Sequence, residues 1–183
     1  DALAATAAAV ALVPDLQPSV IAQALQSFKV AGHRGQQVAE ARGIVAIDNS
    51  KATNPHAADS ALAGHDSVIW VAGGQLKGAE VDDLVARHAH RLKAVALMGV
   101  DRNIIRESVE KHAPGVPIFV TDDTDPQSAM DAVCAWAVTQ ASSGDAIVLA
   151  PAAASLDMYT GMGQRGVLFA ESVSAHLGGV APK

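Results

Sequence analysis

Two kinds of hydrophobic pattern follow one another along this chain. Residues 2–13 are almost all Ala, Val and Leu, which predicts a helix buried on most sides, and residues 19–28 place apolar side chains at helical spacing. After Gly35, short apolar runs alternate with segments of helical length. Such alternation is typical of parallel strands joined by right-handed helical crossovers. We therefore predict an α/β domain with a mostly parallel sheet flanked by helices, preceded by a short helical segment.

The apolar runs predict six strands, at residues 37–40, 44–47, 67–71, 94–98, 117–120 and 146–149. The segments between them predict helices at residues 55–62, 79–90, 102–112, 125–141 and 165–176. Four of the strands are continuous apolar runs, as expected where helices cover both faces of a sheet. The first two strands are joined through Arg42-Gly43, so an antiparallel hairpin is an alternative for the start of the sheet.

The composition predicts a core of small aliphatic side chains and argues against nucleic acid as a partner. Half of the 183 residues are hydrophobic but only 3% are aromatic, and the net charge is −6 without any basic cluster. The single Cys134 excludes an internal disulfide, and its helix-like surroundings favour a core residue over a nucleophile. The apolar stretch 2–14 is too short to span a membrane, so we expect a soluble cytoplasmic protein.

The segment DNSKATNP at 48–55 is the most informative turn of the chain. It joins an apolar run to a helix-like run and so lies at the carboxyl end of a strand, where open α/β sheets bind ligands. Lys51, two hydroxyls and two amides beside a helix N-terminus suit a phosphate or a carboxylate. The alternative is an ordinary helix start, in which Ser50, Thr53 or Asn54 caps the helix.

Three further turns follow strands at the same edge. The glycines at 73–74 allow a ligand to approach the backbone and Lys77 adds a charge, although a plain tight turn fits equally well. The turn at 150–158 is rich in small residues, and Ser155 either donates to a carboxylate or caps a helix. The turn at 99–102 is interpreted as a turn plus a helix cap.

The junction between the two patterns carries His33 and Arg34. An Arg at a domain junction can reach phosphates bound by a neighbouring domain, and the alternative is a solvated linker Arg. The motifs GxxxxGK[ST] and GxGxxG are absent from the sequence, so a P-loop is not predicted. The histidines show no metal-ligand spacing, and no metal site is predicted.

Five motifs occur in an order and spacing that resemble the C-terminal portion of the Mur ligases. They are HR at 33–34, DNSKATN at 48–54, GGQLK at 73–77, PAAASLD at 151–157 and QRG at 164–166. The resemblance extends over nearly the whole chain and is greatest to the members that add D-glutamate. It implies the helical end of a central ATP-binding domain at 1–32, followed by a Rossmann-like, amino-acid-binding C-terminal domain at 33–183.

The activity implied by this resemblance is that of an ATP-dependent acid–D-amino-acid ligase in peptidoglycan precursor synthesis. The family uses ATP and Mg²⁺ to convert a substrate carboxylate into an acyl phosphate, which an amine then attacks. The implied substrates are UDP-N-acetylmuramoyl-L-alanine and D-glutamate. The implied closure of the C-terminal domain supplies proximity and excludes water. A chain without a P-loop is expected to be inactive by itself.

Roles for individual residues follow from the resemblance by position. Lys51 is the implied catalytic residue, neutralising charge in the closed site. The implied nucleotide-binding residues are His33, Arg34, Asn49 and Lys51. The implied D-glutamate-binding residues are Thr53, Lys77, Ser155, Leu156 and Met162, the last two through their backbone. No metal ligand is implied within this chain, since the family holds ATP and Mg²⁺ mainly in its central domain.

Three positions depart from the family pattern, and two other interpretations remain open. Asn49 replaces an Asp that contacts the nucleotide ribose, Met162 replaces an aromatic residue, and Asp1 replaces an Asn near the adenine. One other interpretation is a related Mur or folylpolyglutamate-type ligase domain for another amino acid. The second is a non-catalytic Rossmann-like binding module, which strand–helix alternation alone permits.

Overall fold

The computed structural model describes residues 2–13, 15–27 and 32–178 of the chain. The chain divides into two compact units, Asp1–Ala31 and Gly32–Lys183. The first unit contains α1 (Ala2–Leu12) and α2 (Pro18–Ser27). Asp1 and Phe28, which the sequence analysis assigned to the adenine region and to the second helix, lie outside the described residues.

The predicted burial of α1 is wrong. Leu3 is 88% exposed and Leu12 is 81% exposed. A helix that is apolar on all sides needs neighbours on all sides to be covered, and the described part of the first unit offers only one other short helix. The interpretation of this unit as the end of a central ATP-binding domain remains a prediction.

The second unit contains all the predicted strands and helices, and their ends differ from the predicted ones by at most three residues. Its strands are β1 (Gln36–Ala41), β2 (Ile44–Asp48), β3 (Val68–Gly73), β4 (Leu92–Met98), β5 (Ile118–Val120) and β6 (Ala146–Leu149). Its helices are α3 (Pro55–Leu62), α4 (Asp82–His88), which continues into a short 3-10 turn, α5 (Arg102–His112), α6 (Pro126–Gln140) and α7 (Met162–Leu177).

Local chemistry explains where several of these elements begin. The Asn54 side chain accepts a hydrogen bond from Ala57 N at 2.9 Å and caps α3. Asp125 caps α6 in the same way. Arg42 and Gly43 have φ angles of 55° and 73°, the left-handed pair that a tight two-residue hairpin turn requires.

The sheet is parallel except at its first strand. Its strand order is β1-β2-β6-β3-β4-β5, and β1 pairs antiparallel to β2. The other pairs are parallel, so the carboxyl ends of five strands meet at one edge. The alternative of an initial hairpin is therefore confirmed, and so is the predicted α/β fold class.

Helices cover both faces of the sheet, which explains the continuous apolar strands. One core layer joins α3, α4 and α5 to the face that carries Trp70 and Val148, and the other joins α6 and α7 to the face that carries Ile69 and Ile147. Complete burial of such side chains contributes about 1.5–3 kcal/mol each. Cys134 is fully buried in the second layer, where burial raises the pKa of its thiol, as expected of a core residue.

Of the helices that the structure describes, none is long and apolar enough to cross a bilayer.

Candidate functional site

The turns that the sequence analysis singled out meet at the carboxyl edge of the sheet. The Lys51 turn follows β2, the Ser155 turn follows β6 and the Lys77 turn follows β3, and these three strands are neighbours. The turn after β4 adds a fourth loop beside them. The prediction that these turns share one side of the sheet is confirmed.

The Lys51 turn is anchored to the start of α7. Because Asn54 is the residue that caps α3, Ser50 is free for another contact. The Ser50 hydroxyl donates to the Met162 carbonyl oxygen at 2.7 Å, and its backbone N–H donates to Asp48 Oδ1 at 2.8 Å. This anchoring sets the backbone from which Lys51 and Thr53 extend.

The segment around His33 lies against the same turn. His33 Nδ1 is 2.6 Å from Asp48 Oδ2, and the His33 carbonyl oxygen accepts from Lys51 N at 3.2 Å. Asn49 Oδ1 accepts from Gly35 N at 2.6 Å, which leaves the amide nitrogen of Asn49 as the group able to donate to a ligand. Three of the four predicted nucleotide-binding residues are therefore brought together, and Arg34 is exposed next to them.

The glycine of the QRG motif, Gly166, lies where the structure has no room for a side chain. A Cβ atom added there would lie 2.1 Å from His33 Nδ1 and 2.6 Å from Asp48 Oδ2. Any side chain at this position would displace the His33–Asp48 contact. The glycine therefore permits α7 to pack directly on that pair.

Arg165 has a structural role that the sequence reasoning missed. Its side chain is fully buried and donates to Ser50 Oγ at 3.1 Å and to the carbonyl oxygens of Ser50 at 2.9 Å, Ala153 at 3.1 Å and Gly73 at 3.4 Å. These acceptors lie in the loops after β2 and β6 and at the end of β3. Burial lowers the pKa of Arg165 to about 10, so the guanidinium remains charged at neutral pH. The QRG motif contained the residue, but the pattern carried no signal of its acceptors.

The Lys77 and Ser155 loops are joined to each other through their backbones. Gln75 and Ala154 exchange two hydrogen bonds of 2.9 Å each. Lys77 has a φ of 56°, an uncommon conformation for a residue other than glycine. Strained backbone of this kind persists only where the surroundings hold it, and it is concentrated at functional sites.

The helix-cap interpretation of Ser155 is wrong, whereas the turn at 99–102 does precede α5 with Asp101 at the N-cap position. No helix begins at Ser155; its carbonyl oxygen instead closes a turn by accepting from Tyr159 N at 2.8 Å. Asp101 precedes α5 but makes no side-chain cap hydrogen bond. Its carboxylate instead accepts from Leu76 N at 2.7 Å, because the sheet brings the β3 and β4 loops side by side.

The lysines at this edge differ from the other lysines that the structure describes. Lys93 and Lys111 form ion pairs with Asp145 and Asp82. Within the described residues, Lys51 and Lys77 have no carboxylate within ion-pair distance. The ammonium groups of these two lysines are therefore not paired by carboxylates of the described residues, which suits an anionic ligand.

The predicted D-glutamate-binding residues come from separate loops of this edge. Thr53 and Ser155 offer hydroxyls, and Lys77 offers an ammonium group. Leu156 is 67% exposed, and Met162 is the first residue of α7, where the backbone N–H has no partner within the helix. Their contact with D-glutamate remains a prediction. Among the described residues, no group of three or more His, Cys, Asp or Glu side chains is arranged to hold a metal ion.

Comparisons with known proteins agree with this geometry. A family model for the Mur ligase, glutamate ligase domain, matches residues 33–153. The UDP-N-acetylmuramoylalanine–D-glutamate ligases of Corynebacterium diphtheriae and Corynebacterium efficiens are 64% and 58% identical over 97% and 100% of this chain. The chain spans 37% and 38% of the length of these two relatives.

Solved structures share the fold at lower identity. The UDP-N-acetylmuramate-alanine ligase of Thermotoga maritima matches 95% of this chain and 37% of its own with a TM-score of 0.62 and 16% identity. A folylpolyglutamate synthase/dihydrofolate synthase of Yersinia pestis, solved with AMPPNP and a manganese ion, matches 94% of this chain and 38% of its own with a TM-score of 0.55 and 20% identity. The family model matches residues 33–153, which include every strand of the sheet. This chain therefore belongs to the Mur ligase family.

Proposed function

We propose that this chain is the amino-acid-binding part of an ATP-dependent ligase that joins D-glutamate to UDP-N-acetylmuramoyl-L-alanine in peptidoglycan precursor synthesis. The observation that carries the proposal is the pair of lysines, Lys51 and Lys77, that have no carboxylate partner in the described residues and lie on loops of one sheet edge. The names of the Corynebacterium relatives supply the reaction.

The dianionic amino acid would be held by groups that match its charge. Lys77, with the hydroxyls of Thr53 and Ser155, would take its two carboxylates, because charge-assisted hydrogen bonds are the strong ones. The backbone N–H groups of Leu156 and Met162 add donors, and that of Met162 belongs to a helix N-terminus, which favours negative charge. Holding both carboxylates would fix the position of the D-glutamate amine for attack.

The nucleotide side of the site would be formed by a different group of residues. Lys51 would neutralise the negative charge that two phosphorylated substrates bring together, and Arg34 and His33 would lie near the phosphates. The amide of Asn49 would hydrogen-bond the ribose in place of the usual Asp. When bound, ATP supplies the phosphoryl group that activates the substrate carboxylate and Mg²⁺ neutralises the phosphates; the described residues offer no cluster that would hold the metal.

The test is an amide NMR titration of this chain with D-glutamate, with L-glutamate as the stereochemical control. Saturable shifts at Thr53, Lys77 and Ser155 with the D form alone are expected. Lys111→Ala is the matched control for Lys77→Ala, because it removes a lysine of equal charge that lies in the last turn of α5 and pairs with Asp82. Only Lys77→Ala should weaken the response.

Other outcomes point to the other interpretations. An equal response to both enantiomers favours a related ligase for another amino acid, such as the folylpolyglutamate type. No response to either, in this chain and in a full-length ligase that contains it, favours a non-catalytic binding module. We also expect no turnover by the chain alone, since it carries no P-loop motif; D-glutamate-dependent phosphate release from it would contradict this expectation.

A further inference from the structure

We propose that Asp101 is a positioning residue of the amino-acid site, holding the loop 74–78 in the conformation from which Lys77 meets its ligand. The inference rests on the proposed function, in which Lys77 binds a carboxylate of the amino acid. Asp101 contacts no reacting group in this scheme. It acts through the backbone of a neighbouring loop.

Asp101 forms two hydrogen bonds with the loop 74–78, one through its carboxylate and one through its backbone N–H. Asp101 Oδ2 accepts from Leu76 N at 2.7 Å, one residue before Lys77. Asp101 N donates to the Gly74 carbonyl oxygen at 3.0 Å. A single residue of the β4 loop therefore binds the β3 loop at two points that flank Gln75.

The same contacts connect all three loops in a closed ring. Gln75, between the two points, exchanges backbone hydrogen bonds with Ala154 in the Ser155 loop. Asp157, in that same loop, accepts from Val100 N at 2.9 Å and so returns to the β4 loop. Because each loop is bonded to the other two, a displacement of Leu76 would change the spacing between the Lys77 and Ser155 loops.

The loops pack so closely that they have little space to adopt another arrangement. A Cβ atom added at Gly99, whose φ is 85°, would lie 2.6 Å from Gly74 Cα and 2.7 Å from an Asp157 oxygen. The loops therefore approach one another at backbone distance. Leu76 is 5% exposed, so its N–H has little access to water if the carboxylate is removed. Without this hydrogen bond at Leu76, the neighbouring Lys77 backbone is no longer held in its unusual conformation.

The test compares Asp101→Ala with Asp101→Asn in the full 183-residue chain, by amide hydrogen exchange and by D-glutamate titration. Asp101→Ala should abolish protection of the Leu76 amide and weaken D-glutamate binding about tenfold or more, as expected for loss of a hydrogen bond to a charged group. Asp101→Asn keeps an oxygen acceptor and should restore both to within about threefold of wild type.

The matched control is Asp125→Ala, which removes another carboxylate that accepts a backbone N–H bond, here from Ser128 at 2.8 Å. It should alter α6 but neither Leu76 protection nor D-glutamate affinity. Equal losses in both alanine variants would overturn the proposal, since a general loss of stability would explain them.

The two proposals fail in different ways. Absence of D-glutamate binding by the wild-type chain and by a full-length ligase that contains it contradicts the proposed function. Unchanged Leu76 protection in Asp101→Ala contradicts the positioning role whether or not D-glutamate binds. Lost protection with unchanged D-glutamate affinity also contradicts it, because the loop would then be ordered by Asp101 without serving the site.

Discussion

The two edges of the parallel sheet use charged residues differently. At the amino edge, Asp145 accepts from Ser67 Oγ at 2.7 Å and from Ser142 N at 2.7 Å, and it pairs with Lys93. These contacts join the starts of β3, β4 and β6. At the carboxyl edge, the described residues place no carboxylate within ion-pair distance of Lys51 or Lys77. The Lys93–Asp145 pair at the amino edge is satisfied within the fold, whereas Lys51 and Lys77 at the carboxyl edge remain for a ligand.

The difference shows how function and stability are separated within one sheet. Two acidic residues of the carboxyl edge are engaged by other partners: Asp48 by His33 and the Ser50 N–H, and Asp101 by the Leu76 N–H. They shape the loops and leave the lysines free. The buried Arg165 side chain links the loops after β2 and β6 to the end of β3. At the carboxyl edge, hydrogen bonds hold the loop backbones while Lys51 and Lys77 have no carboxylate partner among the described residues. This combination suits a preorganised anion site.

The largest expected effect comes from removing the buried cation of the carboxyl edge. Arg165→Met leaves the Ser50, Gly73 and Ala153 acceptors without their donor, and each unsatisfied buried group costs about 1–3 kcal/mol. We expect the free energy of unfolding to fall by about 3 kcal/mol or more, measured by urea denaturation. Arg106→Met is the control: Arg106 forms a half-exposed i,i+4 pair with Glu110 at 3.8 Å, and loss of that pair should cost about 0.5 kcal/mol. Similar losses in both variants would contradict the linking role of Arg165.

The next largest effect distinguishes a lysine of the carboxyl edge, which should affect binding, from a lysine of the amino edge, which should affect stability. Lys77→Ala should weaken D-glutamate binding by about 10- to 100-fold, the usual size of a charge-assisted contact, and change stability by less than about 0.5 kcal/mol. Lys93→Ala should do the reverse, lowering stability by about 1 kcal/mol and leaving D-glutamate affinity unchanged. Calorimetric titration and urea denaturation of each variant measure both quantities. If both variants lose binding, or both lose stability, the two edges are not functionally distinct.

The smallest effect concerns the pH dependence of the amino edge. Burial raises the pKa of Asp145, but hydrogen bonds from Lys93, Ser67 and the Ser142 N–H outweigh it, so the pKa lies below its ordinary value. A lowered pKa contributes stability that is complete above the unfolded value, about 3.9, and is lost as the pH falls through the folded value. Asp145→Asn should therefore be less stable than wild type at pH 7, with a difference that shrinks below about pH 4. Urea denaturation between pH 7 and pH 3 measures it, and a constant difference would contradict the assignment.

Predictability along this chain follows the distance over which each interaction acts. The caps of α3 and α6 and the Arg42-Gly43 turn were predictable because the groups that satisfy one another lie within three residues. The start of α7 at Met162 was missed, because the two glycines beside it disfavour a helix and its carbonyl oxygen is held by Ser50, over a hundred residues earlier.

The sequence by itself determined the elements, the parallel sheet and the edge at which the ligand groups gather, because hydrophobic period and strand–helix alternation are local properties that constrain topology. The tertiary structure alone decided which charges are paired. Asp101 is a plausible helix cap by sequence and a loop clamp in the fold, and Arg165 is a surface-type residue by chemistry and a buried link between loops in the fold. Hydrogen-bond partners across a sheet are set by strand order, and strand order places β6 between β2 and β3 although it is the last strand in the chain.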